Sequence, residues 1–166
     1  MAVAGFTIRR AAEGDIRKVS VCLQSAFEPF RSLYTPEAFS DTVLTPEAFK
    51  KRLSAMWVFV AVARGEIIGT VACYANDSGA GHLRGMAVHP DWHGRGIAQA
   101  LLTAAETKLA ENGCLQVALD TTQPLQRAIR FYEKNGYQCS GKVVDFFGMP
   151  LHEYVKTFVP GQPGEP

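Results

Sequence analysis

The stretch HPDWHGRGIAQALL, residues 89–102, places two glycines and an arginine directly before apolar residues at helical spacing. Gly94 and Gly96 carry no β-carbon, so an anion can approach the backbone closely there. The first amides of a helix lack an intrahelical acceptor, and the helix dipole favours negative charge at that end. We therefore expect residues 94–98 to form the first turn of a helix of about twenty residues that ends at Gly113, with an anion site at its start. Its predicted apolar face consists of Ile97, Leu101, Ala104, Ala105 and Leu109.

The sequence on either side of this helix alternates between strand and helix patterns. Two runs rich in β-branched and aromatic residues flank a short RGE turn at 64–66, which predicts an antiparallel hairpin. A strand before the helix and one after it form a βαβ unit over residues 82–120, with an expected parallel, right-handed crossover. The predicted fold class is α/β (α+β), with a mixed and mostly antiparallel central sheet flanked by helices. The predicted strands are residues 6–11, two within 56–77, 82–88, 115–120, 137–144 and 152–159, and further helices are predicted at 13–27 and 124–136.

The phrase TPEAF occurs twice, at residues 35–39 and 45–49. Each copy offers a Thr as N-cap, a Pro at the first helical position and a Glu in the first turn. A spacing of ten residues is too short for a solenoid repeat. We therefore predict two short consecutive helices.

Composition excludes several classes of protein. The 166 residues carry a net charge of +1, so no overall field recruits nucleic acid or an acidic membrane surface. No run approaches the roughly 18 apolar residues of a membrane span, and the four cysteines lack metal-ligand spacing. We expect a cytoplasmic protein with one domain over residues 1–159 and a disordered tail at 160–166, where PGQPGEP has nothing to bury.

Two nucleotide-binding motifs are partly similar to the glycine loop, and neither fits. The P-loop requires Lys and then Ser or Thr after its last Gly, whereas Ile97 and Ala98 follow Gly96. The dinucleotide fingerprint requires a third Gly or Ala where Gln99 stands, and it belongs to βαβ repeats, whereas hairpins precede this loop. Taken alone, the two glycines fit a ligand loop and a plain turn equally well.

A longer pattern identifies a family resemblance. The segment MAVHPDWHGRGIAQALLTAAE, residues 86–106, followed by RAIRFYEKNGY, residues 127–137, resembles the GNAT superfamily of acyl-coenzyme A dependent N-acyltransferases. The resemblance covers residues 6–159 and implies acetyl-coenzyme A as co-substrate. In that family the loop amides bind the pyrophosphate, and the strand before the loop offers main-chain groups to the pantetheine arm, often beside a slot where the strand parts from its neighbour. The loop pattern falls on His93, Gly94, Arg95, Gly96, Ile97 and Ala98, with His93 in place of the usual Gln or Arg, and the strand positions are Met86, Ala87 and Val88.

The resemblance also implies catalytic roles. Tyr132 lies where the family commonly keeps a Tyr that protonates the departing thiolate, and the alternative is an aromatic residue that only packs in the core. An amine must lose a proton before it attacks, yet the strand before the loop has no carboxylate. The base could be solvent or one of His82, Asp120, His152 and Tyr154.

The implied function is direct transfer of an acetyl group to a primary amine of a small molecule or peptide in a ternary complex. The alternative is a regulatory module that binds acyl-coenzyme A without efficient catalysis.

Acceptor specificity in this fold lies largely in segments that map to residues 27–49 and to an expected loop at 145–154. Many relatives are homodimers, although no feature of this sequence indicates one. Both segments are aromatic through Phe27, Phe30, Tyr34, Phe39, Phe146 and Phe147.

Overall fold

The computed structural model describes residues 5–158, which form one seven-stranded sheet with five α-helices. The strand order is β1-β2-β3-β4-β5-β7-β6, and only the β4–β5 pair is parallel within the described residues. The predicted fold class and the parallel crossover near the middle of the sheet are confirmed. The strands are β1 (Thr7–Arg10), β2 (Trp57–Ala63), β3 (Glu66–Ala75), β4 (Ala80–Val88), β5 (Gln116–Thr122), β6 (Gln138–Phe146) and β7 (Met149–Thr157). The helices are α1 (Ile16–Phe27), α2 (Pro36–Thr42), α3 (Pro46–Ala55), α4 (Ile97–Glu111) and α5 (Gln126–Lys134).

The helices cover the sheet on two faces and bury two apolar cores. On one face α1 packs against β3 and β4, and the core there also contains buried side chains of α2 and α3. On the other face α4 packs across β1 to β4, and its core includes Tyr132 of α5. Strand β4 contributes to both cores, with Leu83 in the α4 core and Ala87 in the α1 core. No helix within residues 5–158 is long and apolar enough to cross a membrane.

Both TPEAF copies begin helices, as predicted. The hydroxyl oxygens of Thr35 and Thr45 accept hydrogen bonds from the amides of Ala38 and Ala48, each at 3.2 Å. These caps satisfy amides that would otherwise lack an acceptor, so two short helices can begin only ten residues apart.

Helix α4 is shorter than the predicted twenty residues, with fifteen. It begins at Ile97 because Gly94 and Gly96 have φ of +77° and +81°, a left-handed backbone that cannot continue into a helix. Residues 94–96 are therefore a loop before the first turn rather than part of it. The predicted helix end is confirmed, since Gly113 follows with φ of +85°.

The expected loop at residues 145–154 is wrong, because most of that segment belongs to strands β6 and β7. Phe147 and Gly148 have φ of +51° and +90°, which makes a two-residue hairpin turn. Residues up to Phe146 and from Met149 onward therefore pair with each other. The predicted tail at 160–166 and the last residue of the predicted strand 152–159 lie outside the described residues.

A buried ionic cluster connects helix α4 with strand β7 and with the segment between α5 and β6. Glu106 of α4 is 2% exposed and accepts a hydrogen bond of 2.7 Å from the Tyr137 hydroxyl. The Lys156 ammonium lies 3.1 Å from both oxygens of the same carboxylate. Burial, followed by the Glu106 charge, raises the pKa of Tyr137, so this hydroxyl remains a donor.

Candidate functional site

Strands β4 and β5 part in the middle of the sheet. Their pairing runs from Ala80 with Gln116 to Leu83 with Leu119 and then stops, although both strands continue. Residues 84–88 of β4 therefore have no strand partner on their β5 side. Met86, Ala87 and Val88 lie in this unpaired stretch of β4, and Met86 borders the gap.

A bulge in β4 lies within this unpaired stretch. Ala87 pairs with Thr70, but Arg84 pairs with Ala72, so two residues of β4 stand opposite Val71 alone. Gly85 in the bulge has φ of +63°, a conformation that favours glycine. The bulge and the end of the pairing together leave a cavity of about 330 Å³ between the strands.

Side chains from both faces of the sheet line the cavity. On the face of α1–α3 it is bordered by charged side chains together with Tyr34 and Phe146. On the face of α5 it is bordered by Tyr132, Ala128 and Thr121. The charged lining residues are Asp41, Arg52, His82, Arg84 and Asp120.

The glycine loop follows directly from the unpaired end of β4. Among the backbone hydrogen bonds of residues 5–158, the first donor after His93 is Ala100, so the amides of residues 94–99 have no backbone acceptor. A β-carbon built on Gly94 or Gly96 would meet no atom within 4 Å, which shows an open approach to these amides. The loop is therefore a row of free donors at the positive end of α4.

The side chains of the loop contact the protein in different ways. The His93 ring nitrogen Nε2 lies 3.2 Å from the carbonyl oxygen of Val88, which ties the loop to the end of β4. The Arg95 guanidinium lies over the Trp92 ring at 4.6 Å and is exposed to solvent. Ile97 is 1% exposed and Ala98 is half-buried, so these two residues offer their amides rather than their side chains.

Tyr132 is buried in the core beneath α5 and borders the cavity. Its ring makes edge contacts with Tyr137 at 5.7 Å and Phe131 at 5.5 Å. The hydrogen bonds among the described residues include none from its hydroxyl. Burial raises the pKa of Tyr132, so the phenol keeps its proton in neutral and mildly alkaline solution.

The four candidate bases separate into two groups. His82 and Asp120 border the cavity, and Nε2 of His82 lies 3.4 Å from a carboxylate oxygen of Asp120. The His82 ring also stacks against Tyr74 with centroids 5.3 Å apart. His152 and Tyr154 lie on β7 and are not among the residues that line the cavity. The geometry therefore favours the His82–Asp120 pair over the other two.

Both predicted acceptor segments border the cavity. Phe27, Tyr34 and Phe146 line it, whereas Phe30, Phe39 and Phe147 do not. Tyr34 and Thr122 share a hydrogen bond of 2.7 Å between their hydroxyls, which holds the segment before α2 against the end of β5. The Thr35 hydroxyl donates to the Phe147 carbonyl at 2.8 Å and joins the start of α2 to the β6–β7 turn.

Arg52 and Thr121 border the cavity and are not among the site residues that the sequence predicted. Arg52 lies three residues after Phe49, on the same face of α3 as this buried side chain, and a cation on an apolar face was the available signal. Thr121 gave no signal, because a Thr in a strand is ordinary. Its hydroxyl oxygen is buried and has no hydrogen-bond partner among the described residues.

Comparison with known proteins identifies the family. A sequence model described as the acetyltransferase (GNAT) family matches residues 21–137. The chain belongs to this family. The family match contains the parted strands, the glycine loop and Tyr132.

Two curated relatives match parts of the chain. Acetyltransferase SG1711 of Sodalis glossinidius (strain morsitans) is 37% identical over 86 residues, which is 51% of this chain and 59% of that protein. Acetyltransferase ECA0875 of Pectobacterium atrosepticum is 40% identical over 80 residues, which is 48% of this chain and 55% of that protein. The chain spans a little over half the length of these relatives.

Solved structures share the fold. The PaiA N-acetyltransferase from Thermoplasma acidophilum, solved in complex with coenzyme A, superposes with a TM-score of 0.77 at 18% identity and covers 95% of this chain and 100% of its own. The ribosomal-protein-S18-alanine N-acetyltransferase from Escherichia coli superposes with a TM-score of 0.73 at 16% identity and covers 94% and 97%. At these identities the comparison establishes the fold alone.

Proposed function

We propose that this protein transfers an acetyl group from acetyl-coenzyme A to a primary amine of a small molecule or peptide, by direct attack in a ternary complex. The observation that carries the proposal is the gap between β4 and β5. The unpaired end of β4 leads along the chain into the glycine loop with its free amides, and the cavity at the gap is bordered by a buried phenol on one face and by polar side chains on the other. Such an arrangement lets two substrates meet from opposite faces of one sheet.

The residues present fit an acyl-coenzyme A. The free amides of residues 94–99 suit a pyrophosphate, and the glycines leave its oxygens room. The unpaired edge of β4 at residues 86–88 can bond the amides of a pantetheine arm, as an added strand would. The buried hydroxyl of Thr121 lies beside the same gap and has no hydrogen-bond partner among residues 5–158. When bound, the acetyl thioester supplies the activated acyl group.

The chain's own groups then account for both proton transfers. His82 takes a proton from the acceptor ammonium, and Asp120 stabilises the imidazolium that results. The freed amine attacks the carbonyl carbon, a C–N bond forms and the C–S bond breaks, and the second proton that the nitrogen loses as the amide forms passes to solvent. Tyr132 gives its phenolic proton to the departing sulfur, and the burial that raises its pKa keeps that proton available. The cysteines do not lie in the cavity wall, so no acyl-cysteine step is needed.

The test measures cofactor binding and turnover separately. Coenzyme A should raise the melting temperature, and free thiol should appear when acetyl-coenzyme A is mixed with a panel of primary amines. Tyr132→Phe should lower kcat by about tenfold or more while coenzyme A affinity stays nearly unchanged, because only the proton donor is lost. The loss should persist at mildly alkaline pH, since burial raises the pKa of Tyr132.

The matched control is Tyr154→Phe, which removes a hydroxyl from a buried ring outside the cavity wall and should leave kcat unchanged. An unchanged kcat in Tyr132→Phe would remove Tyr132 from the mechanism. Stabilisation by coenzyme A without thiol release from any amine would support the regulatory module instead.

A further inference from the structure

The charged side chains on the α1–α3 side of the cavity form two ion pairs and leave one arginine over. Arg84 lies 3.5 Å from Asp41, and His82 lies 3.4 Å from Asp120. No carboxylate of the described residues lies within 4.0 Å of Arg52. Each acidic group of the cavity thus pairs with another side chain. Arg52 is the one cation of the cavity without an ion-pair partner among residues 5–158.

Arg52 is held in the cavity wall rather than extended into water. A β-carbon built on Gly85 would lie 2.5 Å from its Nη1 atom, so the guanidinium rests on the backbone of the β4 bulge. An arginine on a surface helix normally carries its charge out to solvent. Burial, followed by the charge of Arg84, lowers the pKa of Arg52 to about 10, and the charge of Asp41 partly opposes this shift. A half-buried cation without a partner is costly, and an incoming anion would offset that cost.

We infer that the acceptor is an amine that also carries a carboxylate, and that Arg52 binds this carboxylate. The inference rests on the proposed function. The planar fork of a guanidinium matches a carboxylate through two parallel hydrogen bonds, and one unmatched positive charge suits one negative charge. An acceptor with a second cation would instead be repelled by Arg52.

The position of Arg52 also limits the spacing within the acceptor. Gly85 directly precedes Met86, where the unpaired strand edge begins to border the proposed acyl site. Arg52 and His82 also line the same cavity of about 330 Å³, so the carboxylate and the reacting amine both lie within it. A cavity of this size suits a short amino acid rather than a long chain with distant charges.

The experiment compares amino acids with their own carboxamides: glycine, alanine, β-alanine and phenylalanine, each in both forms. The quantity measured is kcat/KM from thiol release, for the unmodified protein, for Arg52→Met and for Lys51→Met. Lys51 is exposed on the same helix and serves as the matched control. The two forms differ in amine basicity, so the quantity compared is the ratio of variant to unmodified protein for each acceptor, in which that difference cancels.

Arg52→Met should lower kcat/KM for an acid by about tenfold or more through KM, and change the value for its amide by less than about threefold. Lys51→Met should change neither. Arg52→Glu should shift preference toward diamines such as putrescine.

Equal losses for acid and amide in Arg52→Met would overturn the inference, since Arg52 would then act on the fold alone. A preference for O-phosphoethanolamine over β-alanine that Arg52→Met abolishes would also overturn it and assign a phosphate instead.

A binding measurement keeps this inference separate from the proposed function. β-Alanine should raise the melting temperature of the coenzyme A complex for the unmodified protein and for Lys51→Met, but not for Arg52→Met. If β-alanine stabilises the complexes in this pattern but no acceptor releases thiol, the carboxylate site is supported and the proposed transfer is contradicted. Thiol release from neutral amines, with no effect of Arg52→Met on any acceptor or on binding, would support the transfer and overturn the carboxylate site.

Discussion

At the scale of single residues, the chemistry depends on polar groups that border an otherwise apolar cavity. Tyr132 reaches the cavity from one face of the sheet and His82 from the other. Alternation along β4 and β5 assigns these faces, because Leu83 and Leu119 point into the α4–α5 core while His82 and Asp120 point away from it. The proposed acid and the proposed base thus lie on opposite faces of the sheet, and both border the cavity between the parted strands.

A substitution of His82 tests its role as base. His82→Gln should lower kcat at pH 7 by about a hundredfold, because an alkyl amine with a pKa near 10 is then almost entirely protonated. The loss should shrink as pH rises toward that value, since the amine then loses its proton to solvent. Pre-steady-state or steady-state thiol release between pH 7 and 10 checks this expectation.

His152→Gln is the matched control, because His152 lies on β7 and not in the cavity wall. It should retain the kcat of the unmodified protein across this range of pH. A loss in His152→Gln with an unaffected His82→Gln would reverse the assignment of the base.

At the scale of elements, the start of α4 is shaped by backbone conformation. Gly94 and Gly96 both adopt left-handed φ, which turns the chain from β4 into the helix and leaves their amides free. Other residues adopt this conformation at a cost of roughly 1–2 kcal/mol. The same two residues thus serve the turn and the proposed anion site, which is why sequence alone could not separate the two explanations.

A pair of glycine substitutions separates them. Gly96→Ala introduces strain at φ of +81° and places a methyl group beside the free amides. It should lower stability by about 1 kcal/mol and weaken coenzyme A binding by about tenfold or more. Calorimetric titration and urea unfolding measure the two effects.

Gly113→Ala at the other end of α4 is the control. Its φ of +85° imposes similar strain, and its β-carbon would also meet nothing within 4 Å. It should lower stability by a similar amount and leave coenzyme A affinity unchanged. If both variants bind coenzyme A equally well, Gly94 and Gly96 are turn residues only.

At the scale of the whole molecule, the ionic cluster of Glu106, Tyr137 and Lys156 joins α4 to the sheet strand beside β5. The α5–β6 connection carries Tyr137, whose ring also touches Tyr132. A buried carboxylate with two partners holds three distant parts of the chain in one arrangement. Removing it leaves the Lys156 ammonium buried without its ion-pair partner. The cluster therefore supports the position of Tyr132 without bordering the cavity itself.

Glu106→Ala should lower the free energy of unfolding by about 3 kcal/mol, because Lys156 loses its partner in a largely buried position. Urea unfolding measures this loss. Glu111→Ala, an exposed residue of the same helix, should change stability by less than about 0.5 kcal/mol. Equal stabilities for the two variants would show that the cluster contributes nothing to the fold.

Local patterns predicted the elements well because their causes are local. The Thr caps of α2 and α3, the hairpin turn at Arg64 and Gly65, and the apolar face of α4 all arise from residues close in sequence. Two predictions failed where a backbone conformation decided the boundary. Left-handed glycines shortened α4, and the positive φ of Phe147 replaced a loop with a tight turn.

The sequence by itself determined the order of elements, the free amides before α4 and the family, through motifs within residues 86–137. Only the tertiary structure decided which polar residues share the cavity. His82, Arg52 and Tyr132 lie on three different elements, and their meeting depends on where β4 stops pairing with β5. Pairing between distant strands follows from packing across the whole sheet, so no local pattern contains it.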